Sequence, residues 1–499
     1  MLKNKIAREG IPAGEEFTLS TGGNRLRVSV GTPENKTSRK KTAKISFQCM
    51  LEITKSLELS YRKMKTLCSK LRQHLGRDSV ESRISDKLQA IQQTVEDCYL
   101  TKSETFRCSG DDEVVSDMVY VENCSDFILH TITERALDPS AAIVRIGVDS
   151  GQGFLKCIAN VFDPNQKISS DPSHDDAGVK RSIILSIVED IPESNFNLRK
   201  LLEPLKLEEI NYKITFDLKA ANCVFGLSAH SGKFSCLYCE GERSMEKGIP
   251  RSLGSLDQHY EDFVRDGSIR ENMKEYKNVI NKRILYQDED PSQYLVDVVP
   301  IPELHILLGI ATKLGKVLLK LWPEFTEWLD NNYIMFRSYH GCSFDGNNAN
   351  RFLNLLDQLE LDIFAAAQLD ASLTNLIPII TCLRAFNCLK KDAFGHTVKP
   401  TLSVSVENFK ASYESLILHL QDKYRYKLSV TWKVHIAVCH IEDFLSDKEF
   451  GLGVYSEQAS EAVHCQFKKD WGRFKRRKTH DDYGAKLKKS VTSFTSLNI

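Results

Sequence analysis

Hydrophobic and polar positions change rhythm several times along this chain, and each change predicts a different element. Residues 1–45 keep no sustained rhythm and read as irregular. From 46 to 100 apolar residues return every three or four positions. Met64, Leu67, Leu71 and Leu75 form one such stripe, and helices are predicted over FQCMLEITKSLELS, YRKMKTLCSKLRQHLG and VESRISDKLQAIQQTVEDCYL. Between about 110 and 217 the pattern is mixed. VSDMVYVENCSDFILHTITERAL reads as helix. AAIVRIGVD reads as a strand, joined through Ser150, Gly151, Gln152 and Gly153 to a hairpin partner, GFLKCIANVF. RSIILSIVED supplies a third strand, NLRKLLEPLKLEEI a helix, and YKITFD a fourth strand. The stretch from 240 to 450 is mostly helical, and a last helix begins near Ser456 within YSEQASEAVHCQFKKDWGRFKRR.

This order predicts an α/β domain: a mixed sheet flanked by helices, then a long helical segment, then one more helix. It is compatible with an RNase H-like core, in which one acid leaves the first strand and a second leaves the fourth. The length, 499 residues, supports a large core and about two to four domains. Apolar residues make up 41% and charged residues 27%, as in folded globular chains. No apolar run reaches about 18 residues, so no membrane span is expected. The segment MLKNKIAREGIPAGEE lacks the apolar stretch of a secretory signal. The 14 cysteines are scattered, and most are expected as reduced thiols or core residues.

The zero net charge hides a strong asymmetry. Residues 1–90 carry 19 Lys and Arg against 9 Asp and Glu, and residues 466–499 carry 10 against 3. Basic ends around an acidic centre suit a protein whose flanks hold a phosphate backbone. Candidate DNA contacts are Arg25 and Arg27 within GGNRLRVSV, Arg39, Lys40 and Lys41 within SRKKTAK, and Arg62 and Lys63 on a predicted helix. Arg473, Lys475, Arg476 and Arg477 follow the last helix and form a second basic group. The same run reads as a nuclear import signal, which makes the nucleus the expected location.

Three acids stand where metal-dependent phosphoryl transfer would place them. Asp149 closes the first strand of the mixed region, Asp217 closes YKITFD, and Glu461 lies on the last helix. Two divalent ions, Mg²⁺ or Mn²⁺, would take hard oxygen ligands from such a set. Other roles compete: Asp217 also suits the N-cap of a following helix, and Glu457 lies one turn before Glu461 on the same side. A structural Zn²⁺ is expected from Cys236 and Cys239 with His435 and His440, because a C-x2-C pair and an H-x4-H pair complete a tetrahedral set. Ligand pairs about 200 residues apart predict a clasp pinning a long insertion to the core. His305, His340, Cys439 and His464 are competing ligands.

The ordered set resembles Transib-type transposases, relatives of the catalytic subunit of the V(D)J recombinase. The likeness runs from about Asp149 to Arg477 and is carried by VDSGQGFLKC, CLYC, YHGCSFDGNNANRFL, WKVHIAVCH and YSEQASEAVHCQFKKDWGRFKRR. It implies an RNase H-like DDE core interrupted by a large helical, zinc-binding insertion. It also implies a homodimer that pairs terminal inverted repeats on double-stranded DNA. The implied reactions are nicking, hairpin formation on flanking DNA by 3′-OH attack, and strand transfer into target DNA. Asp149, Asp217 and Glu461 match the catalytic acids in family order. The interval from His440 to Glu461 is one residue longer than in the vertebrate pattern, which leaves Glu457 as the alternative.

These readings divide the chain into a basic DNA-contacting arm (1–45), a helical DNA-binding and dimerisation region (46–110) and the first part of the core (111–235). The zinc-binding insertion (236–450), a helix completing the core (451–480) and a basic tail (481–499) follow. The leading function is a cut-and-paste DNA transposase. A domesticated DNA-binding descendant with silent catalysis is the alternative, and an RNase H-like nuclease that cuts without joining is a third.

Overall fold

The computed structural model describes residues 16–21, 24–29, 44–57, 59, 61–108, 112–165, 182–228, 232–285, 290–336 and 343–499. Residues 16–21, 24–29, 48, 52, 55, 56, 61, 62, 461, 462 and 465 are described in backbone only. Arg39, Lys40, Lys41 and His340 therefore lie outside the described residues, as do the side chains of Arg25, Arg27, Arg62 and Glu461. The chain forms two compact units, residues 1–97 with 496–498, and residues 98–495 with 499.

In the first unit β1 (Glu16–Thr21) and β2 (Asn24–Ser29) pair antiparallel, so part of the arm read as irregular is a hairpin. Three helices follow: α1 (Phe47–Ser56), α2 (Tyr61–Leu75) and α3 (Ile84–Asp97). Met50, Leu51, Met64, Cys68, Val80, Ile84 and Leu88 form their core, with Leu67 and Leu71 packed against it. The α2 stripe thus faces inward as its spacing predicts, except for Leu75, which is exposed at the helix end.

The second unit is built on a six-stranded mixed, open sheet. Its strands are β3 (Tyr99–Arg107), β4 (Glu113–Val121), β5 (Ile143–Gly151), β6 (Phe154–Phe162), β7 (Ser182–Glu189) and β8 (Lys213–Ile214), in spatial order β3-β4-β7-β6-β5-β8. All neighbours are antiparallel except β5 and β8, which run parallel. The connection between β7 and β8 includes α5 (Asn195–Leu202), as a parallel crossover requires. VSDMVYV, read as helix, is instead strand β4, and α4 (Cys124–Glu134) takes only the second half of that segment.

Both faces of the sheet are covered, which is why β6 and β7 are buried along their whole length. On one face lies α17 (Gln458–Phe474), whose Phe467 and Trp471 meet the Phe154 ring edge-on. On the other, Ser186 of β7 donates to the Leu201 carbonyl of α5. Between β8 and α17 the chain adds α6 (Leu218–Val224), α7 (Leu253–Arg265), α8 (Leu295–Val298), α9 (Glu303–Leu321), α10 (Phe325–Asn331), α11 (Gly346–Asn354) and α12 (Leu356–Ala366). It continues through α13 (Ile377–Ala393), α14 (Leu402–Tyr424), α15 (Trp432–Cys439) and α16 (Ile441–Leu445), and α18 (Tyr483–Ser496) follows α17.

Residues 371–393 are long and apolar enough by composition to cross a membrane. Here α13 instead buries Ile379, Ile380, Leu383 and Phe386 inside the unit, with Phe386 against Phe409 of α14. The result is a mixed open sheet flanked by helices, loosely consistent with an RNase H-like core carrying a metal-binding insertion.

Candidate metal centre and acidic site

Cys236, Cys239, His435 and His440 meet in the interior of the second unit, all four buried, with ligand atoms within 4.8 Å of one another. Among the described residues this is the one such group of three or more Cys, His, Asp or Glu side chains. Cys236 Sγ lies 3.4 Å from His440 Nε2, Cys239 Sγ lies 3.4 Å from His435 Nε2, and the two Nε2 atoms are 3.3 Å apart. A tetrahedral zinc with ordinary bond lengths sets S···N at about 3.6 Å and N···N at about 3.3 Å, so the donor set fits that ion.

The chain achieves this convergence by ending a helix. Thr431 caps α15, accepting from Val434 N at 3.3 Å. Residues five apart on a continuous helix point to different sides. α15 stops at Cys439, and His440 leaves helical geometry at φ −132°, which turns its ring back toward His435. Each ring is oriented through its other nitrogen. His435 Nδ1 donates to the Ser244 carbonyl at 2.7 Å, and His440 Nδ1 lies 3.6 Å from Asp443. Burial opposes the charged form of His440, but Asp443 and Cys239 outweigh it and raise its pKa. Contact with Cys236 first, then with both histidines, lowers the Cys239 thiol, while burial and then Cys239 push the Cys236 thiol up. Of the competing ligands, Cys439 stays beside the group, 3.7 Å from His435 Nδ1. His305 and His464 serve the acids instead.

The acidic site lies where β5 and β8 end. Asp149 is in register with Lys156 of β6, a fully buried lysine whose Nζ donates to the Gly151 carbonyl at 3.1 Å. Asp217, three residues past β8, caps α6 by accepting from Ala220 N at 2.6 Å. The cap role and the strand-end position are thus compatible. α17 brings His464 onto Asp149, where Nε2 meets Oδ2. Burial works to raise the Asp149 carboxyl, but the His464 hydrogen bond and charge win and hold it below the usual range. Glu457, just before α17, is buried and accepts from His305 Nδ1 at 2.9 Å and His305 N at 3.1 Å. The other nitrogen of His305 lies 4.0 Å from Asp217 Oδ2. Burial disfavours the charged imidazole, yet Glu457 and then Asp217 raise it to about 9.

Two further acids were passed over in the sequence. Glu193 Oε2 accepts from Ser150 Oγ at 2.9 Å and pairs with Lys219 Nζ at 3.2 Å. Burial, then the nearby Asp217, raises its pKa. Glu303 accepts from Gln458 Nε2 at 2.6 Å, and burial and Glu457 push it up to about 7. Glu193 has a usable signal, an acid one residue before the Ser194 cap that opens α5. One oxygen each of Glu193, Glu303 and Glu457 is buried with no hydrogen-bond partner. Among the described residues no three of these acids stand close enough to share one ion as placed. Glu461 lies on α17 one turn beyond Glu457, and only its backbone is described.

Of the candidate DNA contacts, Lys63 is exposed on α2. Arg473 is exposed and pairs with Asp470 at 2.5 Å, while Lys475, Arg476 and Arg477 lie exposed directly after α17. That stretch is pinned to the end of β7, where Glu189 accepts from Trp471 Nε1 at 3.2 Å and Tyr483 Oη at 2.9 Å. What the fold and centre define is a helix-flanked mixed-sheet protein with a Cys2His2 metal-binding cluster. Comparison with family models finds no match to this chain, and comparison with curated proteins finds none either.

Proposed function

We propose that the protein is a DNA-cutting and -joining enzyme of the RNase H-like DDE type, acting as a cut-and-paste transposase on terminal inverted repeats. The observation that carries this reading is topological. Asp149 lies in β5, one strand in from the sheet edge, and Asp217 follows β8, the edge strand parallel and adjacent to it. α17, which bears Glu461 and follows Glu457, lies across the same face. Three antiparallel strands, a crossover helix and a parallel fourth strand support this reading.

The chain's own groups then have definite tasks. Asp149, Asp217 and Glu461, with Glu457 as alternative third acid, would hold paired Mg²⁺ or Mn²⁺. When bound, such ions activate water or a 3′-OH and stabilise the leaving oxygen. His464 and His305 hold the acids in place and offset their mutual repulsion. The exposed Lys475, Arg476 and Arg477 would contact phosphates of repeat or target DNA, and a homodimer would pair two ends. A zinc-bound Cys2His2 centre would keep the insertion docked on the core.

The test is cleavage of linear DNA bearing the element's terminal repeats, with Mg²⁺, comparing wild type with D149N, D217N, E461Q and E457Q. Asn at 217 can still cap α6, so D217N separates chemistry from folding. Nicks and hairpins from wild type, lost in folded D149N and D217N and in one glutamate variant, are expected. The glutamate whose loss abolishes both products is the third acid. Repeat binding without any product would instead favour a silent, domesticated DNA-binding protein. The histidine contacts already made by Asp149 and Glu457 give that second reading its footing.

A further inference from the structure

Arg251 is fully buried and hydrogen-bonds no carboxylate among the described residues, with Glu240 acting on it only through space. Its guanidinium instead donates to four main-chain carbonyls. Nε reaches Cys236 O at 2.9 Å and Cys239 O at 3.1 Å, and one terminal nitrogen reaches Phe234 O and Lys277 O, each at 2.9 Å. Its own backbone N–H donates to Tyr238 O at 2.9 Å. The other terminal nitrogen is buried without a partner. A buried cation left with only neutral acceptors is costly, so a structural account must say what it does there.

We infer that Arg251 is the positioning residue of the metal centre, and that it pre-forms the Cys236–Cys239 half as a receptor before any ion arrives. The argument is one of geometry. The carbonyls of both ligand cysteines face the Arg251 guanidinium, and Gly241 N donates to Cys239 Sγ at 3.4 Å, so the C-x2-C turn is held from within its own loop before the histidines join it. The same side chain ties the loop to Lys277, and Asn278 and Tyr238 are in turn bonded to Ser228 and Pro300. His435 and His440 then close a site whose sulfur half already stands. This inference concerns the metal centre alone and does not rest on DNA chemistry.

The experiment uses the full chain and the variants R251K and R251M. Lysine keeps the charge but offers one ammonium, which cannot span four carbonyls; methionine keeps bulk and loses every donor. Zinc affinity is read by competition with a chromophoric chelator, and melting is followed with and without bound zinc. We expect a weakening of about 10- to 100-fold in both variants, since partners of metal ligands act at that scale. The zinc-induced rise in melting temperature should shrink accordingly. A merely structural Arg251 would lower both melting temperatures together and leave affinity within about twofold of wild type, and that result overturns the inference. Wild-type protein supplies an independent measurement should the variants not fold. After zinc is stripped, amide exchange over residues 234–251 should stay slow while residues 432–441 become fast. Equal loss of protection in both segments would mean no receptor is pre-formed.

Discussion

Single side chains in this protein do work that their positions in the sequence do not announce. Asp217 reads as a cap or as a catalytic acid, and its geometry permits both: Oδ1 serves the α6 N-terminus and Oδ2 faces His305. Glu303 has no motif at all, yet it is buried beside Glu457 with one oxygen unpartnered. Burial and that neighbour raise its pKa from 4.5 to about 7, so the folded protein keeps a proton that the unfolded chain has released. Stability should therefore fall as pH rises through that window and level off above it, by roughly 3 kcal/mol in total. Denaturant titrations of wild type and E303Q at about pH 5 and about pH 8 check this, because the glutamine variant should lack that part of the pH dependence. An unchanged difference between wild type and E303Q across the two pH values would assign the titration elsewhere.

At the scale of elements, the decisive contact is α17 against β5. A Cβ on Gly147 would stand 2.3 Å from Ser460 Oγ, and one on Gly151 would stand 2.6 Å from the His464 ring. The two glycines let the helix settle onto the strand that bears Asp149. G151A should thus displace the His464 ring and destabilise the unit by about 1–3 kcal/mol, the usual cost of overpacking. Adding H464A, which removes the obstructing ring, should restore part of the loss, and thermal melts of the single and double variants measure it. If G151A melts like wild type, the close approach does not exist. Much of this level was legible in advance. β5, β6 and β7, the Ser150–Gly153 connection and helix α17 follow from alternation, apolar runs and turn residues, whereas α18 lies in a stretch read as a basic tail. β4 was not, because VSDMVYV runs without a turn signal into the helix after Asn123, and only pairing with β3 and β7 makes it a strand.

Across the whole molecule, the Cys2His2 cluster brings together residues about 200 positions apart, and a metal held there would clasp them. Removing zinc should release α15 from the 236–239 loop, seen as faster exchange around His435 and His440, and should abolish paired-end DNA binding. Verified zinc-free protein that keeps both would leave the clasp without a role in assembly. The sequence by itself determined which local rhythms become helices and strands, and it supplied acids at strand ends and a complete set of zinc donors. Those properties depend on neighbours within a few residues. It could not determine how the histidine and cysteine candidates divide between two sites. His435 and His440 went to the cysteines because α15 ends at Cys439. His464 and His305 went to Asp149 and Glu457 because α17 lies flat on two glycines and α9 starts beside it. Such choices belong to tertiary structure, since a side chain's partner is set by where distant segments of chain are packed, and packing is a property of the whole core.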